Sequence, residues 1–170
     1  AVPEAATEID ASGKVVAPGF VDIHSHSDFT LLVDPRAASA ICQGVTTEIV
    51  GNCGFGCFPL LNKELAPKAI YGHSDDVPLT WDSAAGYFER LEEAAPAINV
   101  ASLAPNGQIR LSVVGLADRP ARPDELQQMR YLLEEHTSPK GRLTSETGET
   151  IYTGDLLEPY RDHIQNEMFH

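Results

Sequence analysis

Short apolar runs alternate with amphipathic segments along most of the chain. Four apolar or β-branched runs predict strands at residues 20–26, 45–50, 98–103 and 141–145. Three segments with an apolar stripe or clear end signals predict helices at residues 36–43, 81–94 and 124–135. The remaining segments are predicted as extended pieces around a turn (7–16), an irregular insertion (59–78) and a polar stretch with few signals (146–170). The resulting order, β-α-β-α-β-α-β, is typical of a parallel α/β sheet.

Residues that favour helix ends set the predicted helix boundaries. Asp34 is predicted to cap the first helix, with Pro35 at its first position and Gly44 at its left-handed end. Thr80 is predicted to cap the second helix, and Pro123 to open the third. Right-handed crossovers with helices outside the sheet build either a doubly wound sheet or part of a barrel. The pattern alone leaves both architectures open.

The composition narrows the class of protein. Apolar residues make up 42% and charged residues 22% of the 170 residues, which is compatible with a packed core. The formal net charge of −13, without a basic patch, argues against nucleic acids or anionic membranes as partners. Three cysteines are an odd number, which favours a reducing compartment, and no apolar run approaches membrane-spanning length. The sequence therefore predicts a cytoplasmic protein.

The first predicted strand ends in a pair of alternating histidines. Because successive side chains of a strand point to opposite faces, Asp22, His24 and His26 share one face. Functional groups of α/β barrels collect at the carboxyl ends of the strands. Two imidazoles in this position suit zinc, which keeps an open position for water in catalytic sites. Asp22 and Asp28 are candidates to orient the imidazoles as hydrogen-bond acceptors behind the metal ligands, and Asp28 could equally cap or solvate a loop.

Two stretches resemble a known family. Pro18–Asp28 resembles the first barrel strand of the amidohydrolase superfamily, which carries Pro-Gly-Phe-hydrophobic-Asp-x-His-x-His. Gln43–Gly54 is similar to the N-acyl-D-amino-acid deacylase (D-aminoacylase) branch, where a Gly-Val-Thr-Thr strand ends in Gly-Asn-Cys-Gly and the cysteine is a metal ligand. A looser resemblance continues through residues 99–103 and 119–120 to about residue 135.

The resemblance implies a fold and a set of ligands. The fold would be α/β, with residues 18–170 forming the first four or five strands of a (β/α)8 TIM-type barrel. Residues 1–17 would be the remnant of a small β-sandwich. His24 and His26 would be zinc ligands, and Cys53 a thiolate ligand. A cysteine in a glycine-rich turn beyond a strand is accessible to a metal ion, which favours its thiolate form.

The resemblance also implies a reaction that this chain supports only in part. In the family a metal-activated water attacks a linear amide, here an N-acyl amino acid of D configuration, and a late-strand aspartate moves the proton. That aspartate has no counterpart in this chain, so no catalytic residue is assigned. A full barrel needs about 250 residues. We therefore expect a fragment or truncated product with an incomplete site, and no turnover when it is mixed with zinc and N-acetyl-D-amino acids.

Two further residues are candidates for contact with the substrate. Arg110 suits a substrate carboxylate because a guanidinium matches that geometry. The branch often carries a histidine near the end of strand three, a position suited to substrate contact. This chain has Asn106 and Gly107 there instead, so no such contact is predicted. His163 lies in a stretch that resembles the family's fifth-strand His-x-Arg-x-Glu, with Gln165 in place of the arginine.

Two other functions remain open on the sequence. One is a non-catalytic, metal-binding half-barrel, which could form a homo-oligomer to cover its exposed sheet edge. The other is a cyclic amidohydrolase of the hydantoinase or dihydroorotase type. Those enzymes usually employ a bridging carboxylated lysine, so the candidate ligand Cys53 argues against this second function.

Overall fold

A three-stranded parallel sheet lies at the centre of the fold. The computed structural model describes residues 9–137, 143–144 and 150–151. The strands β1 (Phe20–Asp22), β2 (Val45–Val50) and β3 (Asn99–Ser102) pair in the order β1-β2-β3. Helical segments lie between consecutive strands along the chain. The predicted mixed α/β fold with a parallel sheet is therefore confirmed.

The first strand is shorter than predicted, whereas the second has the predicted bounds. β1 ends at Asp22, so His24 follows the strand rather than lying within it. The chain continues beside β2 all the same, because the backbone N–H of Ser25 donates to the carbonyl of Ile49 at 3.1 Å. His24 and His26 therefore lie next to the carboxyl end of β2.

The segment between β1 and β2 forms two short helical turns, α1 (Thr30–Val33) and α2 (Ala38–Ile41). The prediction of one helix capped by Asp34 is wrong. The carboxylate of Asp34 instead pairs with the guanidinium of Arg36, at 2.7 Å. Ala37, the residue before α2, has a φ of 45°. Its left-handed backbone interrupts the region in which a single continuous helix was predicted.

The segment between β2 and β3 contains α3 (Ala66–Ala69) and α4 (Ala84–Ala94). The first of these lies within the region predicted as an irregular insertion. The second begins later than predicted, because its N-cap is Ser83 and not Thr80. The Ser83 hydroxyl accepts a hydrogen bond from the N–H of Gly86 at 3.3 Å, which satisfies a free donor of the first turn.

Two helices follow β3. The helix α5 (Asn106–Val113) was not predicted, since Pro105 and its neighbours suggested only a turn; Pro105 is in fact the extended N-cap of this helix. The helix α6 (Pro123–Thr137) confirms the third predicted helix. In its first turn the carboxylate of Glu125 accepts from the N–H of Arg122 at 2.7 Å, as in a capping box.

A small antiparallel pair stands where a fourth parallel strand was predicted. β4 (Leu143–Thr144) pairs with β5 (Thr150–Ile151) in the antiparallel sense. The prediction of a parallel strand at residues 141–145 is therefore wrong. Strands that helices cover on both faces are near-continuous apolar runs, and this segment contains a single large apolar residue, Leu143.

The main hydrophobic core packs beneath the start of α1. Phe29 and Tyr87 are fully buried within it. Two polar groups of the core bind backbone carbonyls: Trp81 Nε1 donates to Cys57 O at 2.6 Å, and the Tyr87 hydroxyl donates to Asp28 O at 2.7 Å. The core thereby fixes the backbone two residues beyond His26.

Candidate metal centre

Two histidines and a cysteine meet at the carboxyl end of the sheet. His24 and His26 follow β1, and Cys53 lies in a single 3₁₀ turn, Asn52–Gly54, that follows β2. Neighbouring parallel strands end at the same edge of a sheet, so segments that are distant in sequence come together there. This is the position at which the sequence predicts a metal site.

The three side chains are close enough to share one ion. Nε2 of His24 lies 3.2 Å from Sγ of Cys53. One candidate ligand atom from each of His24, His26 and Cys53 lies within 4.8 Å of the other two. Tetrahedral zinc bonds of about 2.0–2.3 Å place ligand atoms about 3.3–3.8 Å apart. The distance between His24 and Cys53 is close to this spacing, and the 4.8 Å bound on the whole cluster requires only small movements of the side chains to hold an ion.

One atom of the cluster has an unmet need for a polar partner. Nδ1 of His26 is buried and makes no hydrogen bond with the part of the chain that the structure describes. Buried polar atoms of native proteins nearly always have a partner, because an unpaired one costs free energy. An ion coordinated by Nδ1 would be such a partner. The two imidazoles and the thiolate therefore fit zinc in both donor type and position.

The backbone of the cysteine turn depends on glycine. Cys53 itself has a φ of 55°, and Gly51 has a φ of 78°. A Cβ at Gly51 would also lie 2.4 Å from the carbonyl oxygen of Leu103, well inside contact distance. Gly51 thus lets the turn come close to the chain at the end of β3. A left-handed non-glycine residue is uncommon and often occurs at functional sites.

The buried carboxyl of Asp28 holds the start of the cysteine turn. Its Oδ1 accepts a hydrogen bond from the N–H of Gly51 at 2.9 Å. Burial raises the pKa of this carboxyl to about 6, while the hydrogen bonds from backbone N–H groups oppose that rise. Asp28 therefore links the segment after β1 to the turn that carries Cys53.

The two predicted orienting carboxylates contact backbone groups. Oδ1 of Asp22 accepts from the N–H of His24 at 3.0 Å, and Asp28 accepts from Gly51 as described. The hydrogen bonds of these carboxylates among the described residues are therefore not the predicted ones to the imidazoles. For Asp22 the reason is that β1 ends at this residue, so the side-chain alternation of the predicted strand does not continue to His26.

Glu48 is a buried residue beside the centre that the sequence analysis missed. Its Oε2 accepts hydrogen bonds from the hydroxyls of Ser25, at 3.1 Å, and Ser27. These serines flank His26 and alternate with the histidines. A charged residue within the otherwise uncharged run of β2 was the available signal, since a buried carboxylate needs partners.

Two exposed aromatic rings border the cluster. The ring of Tyr71 lies 5.7 Å from the ring of His26, measured between centroids, and the ring of Phe55 lies 6.2 Å from it. Both rings keep a large exposed surface. They give the candidate centre an apolar border on the solvent side.

The predicted substrate residues are placed differently. Nη2 of Arg110 donates to the carbonyls of Ala117 at 2.9 Å and Arg119 at 2.8 Å, so this nitrogen is engaged by backbone rather than presented to a carboxylate. The prediction for His163 lies outside the described residues.

Comparison with known proteins identifies the family of this chain. A model of the amidohydrolase family matches residues 7–167 of the chain. The chain belongs to the amidohydrolase family. Among its amidohydrolase relatives is a D-aminoacylase of Alcaligenes xylosoxydans xylosoxydans, 35% identical over 76% of this chain and 26% of the relative. An N-acyl-D-glutamate deacylase of the same organism is 38% identical over 71% of this chain and 24% of the relative.

Solved amidohydrolase structures share the fold. An N-acyl-D-glutamate deacylase of Bordetella bronchiseptica, in complex with zinc and a phosphonate inhibitor, superposes with a TM-score of 0.68 and 32% identity over 79% of this chain and 28% of that one. A D-aminoacylase described as having a binuclear metal centre gives a TM-score of 0.67 at 32% identity over 80% of this chain and 28% of that one. The chain thus spans about a quarter of the length of these relatives.

Proposed function

We propose that this amidohydrolase chain carries the first metal ligands of a zinc-dependent deacylase of N-acyl-D-amino acids, with a carboxylic acid and a free D-amino acid as products. The observation that carries the proposal is the cluster itself, in which His24, His26 and Cys53 each place a ligand atom within 4.8 Å of the others. A thiolate in this position favours the deacylase over a cyclic amidohydrolase. The named relatives, deacylases of D-amino acid derivatives, support the substrate class.

The chain's own residues have distinct roles in this proposal. His24, His26 and Cys53 hold the ion, which when bound polarises an amide carbonyl and activates water. Asp28 keeps the cysteine turn in place through Gly51. Fixed ligands matter because displacement of a catalytic group by about 1 Å can cost about a hundredfold in rate.

The finer fold is also a proposal. We infer that the three-stranded sheet is the first part of a (β/α)8 barrel, with residues 1–17 as the remnant of a β-sandwich and 18–170 as barrel. Exposed apolar side chains in and directly after the first strand support this, because Phe20 is 66% exposed and Ile23 is 74% exposed in the described chain. In a closed barrel both would be covered by other segments.

The remaining partners and the location follow from composition. We propose a cytoplasmic protein that binds a small-molecule N-acyl amino acid and assembles as a homo-oligomer. Cys42, Cys53 and Cys57 are free thiols, in keeping with a reducing compartment. Within the described residues, none of the helices has the length and apolar character that crossing a membrane requires.

Binding of a transition-state mimic tests the substrate class. The probes are phosphonate analogues of an N-acetyl-D-amino acid and of its L enantiomer, titrated by calorimetry into the zinc-loaded chain. We expect the D analogue to bind at least about tenfold more tightly, a difference of about 1.4 kcal/mol, and zinc removal to abolish binding. Equal binding of both enantiomers would contradict the assigned configuration, and binding without zinc would contradict the metal-dependent function.

A further inference from the structure

An open cavity of about 410 Å³ adjoins the candidate metal centre. It lies between the cysteine turn and α5, where the chain leaves β2 and β3. Cys53 is one of the lining residues, and Phe55, Leu111 and Leu116 supply apolar walls. Its volume is within the range of about 300–1,000 Å³ that is usual for small-molecule pockets. Because Cys53 belongs to both the metal cluster and the cavity lining, the cavity adjoins the site of the proposed chemistry.

Close backbone packing builds one boundary of this cavity. The cysteine turn and α5 approach at Gly54 and Gly107, where a Cβ on Gly107 would lie 2.7 Å from the carbonyl oxygen of Gly54. The contact is therefore between backbones. A side chain at Gly107 would push α5 away from the turn that carries Cys53 and would change the cavity.

The far wall is held by Arg110. Its Nη2 binds the carbonyls of Ala117 and Arg119, which folds the loop after α5 back against the helix. That loop places Leu116 and Ala117 on the cavity, beside a single acidic residue, Asp118. Because the guanidinium nitrogen is engaged by the loop, the surface left for a ligand is mainly apolar.

We propose that this cavity binds an unbranched alkyl arm of the N-acyl amino acid, with the polar end of that arm at Cys53. This inference rests on the proposed function and adds the substrate's apolar part to it. An alkyl chain fits because Phe55 borders both His26 and the cavity, so an apolar path leads from the metal centre to Leu111 and Leu116. Both the acyl group and the amino-acid side chain of such a substrate can be an unbranched alkyl chain, so the same cavity would suit either of them.

Two ligand series distinguish the two sources of the alkyl arm. The zinc-loaded chain is titrated by calorimetry with acetate, butyrate and hexanoate, and separately with D-alanine, D-norvaline and D-norleucine. Transfer of a methylene from water to an apolar site strengthens binding about fourfold. We expect the affinity to rise by this factor for each added methylene in one of the two series. A rise among the carboxylic acids would assign the cavity to the acyl group, and a rise among the D-amino acids would assign it to the amino-acid side chain. Equal affinities within both series would overturn the cavity proposal.

Substitutions in the cavity wall test whether the gain in affinity with chain length arises in the cavity. Ala117→Phe fills the cavity and Leu116→Asn makes its wall polar, and both positions are exposed, so folding should survive. We expect each variant to lose the chain-length dependence while retaining acetate binding. The matched control is Ala85→Phe, on an exposed position of α4 away from the cavity, which should keep the dependence.

The outcomes separate this inference from the proposed function. Zinc content and acetate binding report on the metal centre, and chain-length dependence reports on the cavity. If zinc and acetate bind but the dependence persists in both wall variants, the cavity assignment is overturned and the proposed function stands. If the wild type binds no zinc, the proposed function is overturned first. Circular dichroism confirms that each variant is folded.

Discussion

Asp28→Asn removes the charge of a buried carboxyl while keeping its shape and an oxygen that can accept from Gly51. Asp28 is 4% exposed, and burial raises its pKa to about 6, from an ordinary value of 3.8. In the unfolded chain the group returns to the ordinary value. The folded state therefore binds more protons than the unfolded state between about pH 4 and about pH 6, so the stability of the wild type falls as the pH rises through this window.

The size of this effect follows from the two pKa values of Asp28. A rise from 3.8 to about 6 corresponds to about 3 kcal/mol, at about 1.4 kcal/mol for each tenfold change in the ionisation constant. Most of this cost, about 2 kcal/mol, develops between about pH 4 and about pH 7. The neutral Asp28→Asn variant does not incur it. We therefore expect the free energy of unfolding of the variant, relative to that of the wild type, to increase by that amount over this pH range.

Urea unfolding followed by circular dichroism measures the effect. Both proteins are unfolded at about pH 4 and about pH 7, with a chelator present so that no metal contributes to stability. The difference in unfolding free energy, Asp28→Asn minus wild type, should increase by about 2 kcal/mol from the lower to the higher pH. A difference that is constant with pH, or that decreases, would refute the assignment of a buried carboxyl with a raised pKa.

Two further substitutions test the packing around the centre. Tyr87→Phe should destabilise the chain by about 1–3 kcal/mol in urea unfolding, because the Asp28 carbonyl loses its buried partner; an unchanged midpoint would contradict that hydrogen bond. Gly51→Ala should cost about 2 kcal/mol or more, since its φ is 78° and the added Cβ meets the carbonyl of Leu103 at 2.4 Å. It should also weaken zinc binding in a competition titration, and zinc affinity equal to wild type would show that the turn tolerates the side chain.

Elements with a strong local pattern were predictable from the sequence. The β-branched run Val45–Val50 became β2 with the predicted bounds, and α6 appeared where an amphipathic stripe followed a proline. The helix predicted after Asp34 failed because an ion pair with Arg36 and the left-handed Ala37 replaced the expected cap. The helix α5 was missed because Asn-Gly dipeptides also mark turns.

In the candidate centre, too, residues with a local sequence pattern were predicted, whereas contacts between distant segments were not. His24 and His26 carry a local alternating pattern, and Cys53 was reached through the resemblance of its glycine-rich turn to a family. The contact of Glu48 with serines more than twenty residues away depends on the register of two strands, which sequence alone does not give. The backbone contact of Asp28 to Gly51 is of the same kind.

Cobalt(II) absorption spectroscopy tests the central claim, that two imidazoles and a thiolate of this chain hold one ion. A cysteine thiolate bound to cobalt gives a charge-transfer band in the near ultraviolet. We predict this band in the wild type and in Cys42→Ala, which removes an exposed thiol outside the cluster. The band should disappear in Cys53→Ala and weaken strongly in His24→Ala. A band of unchanged intensity in Cys53→Ala, or none in the wild type, would contradict the account.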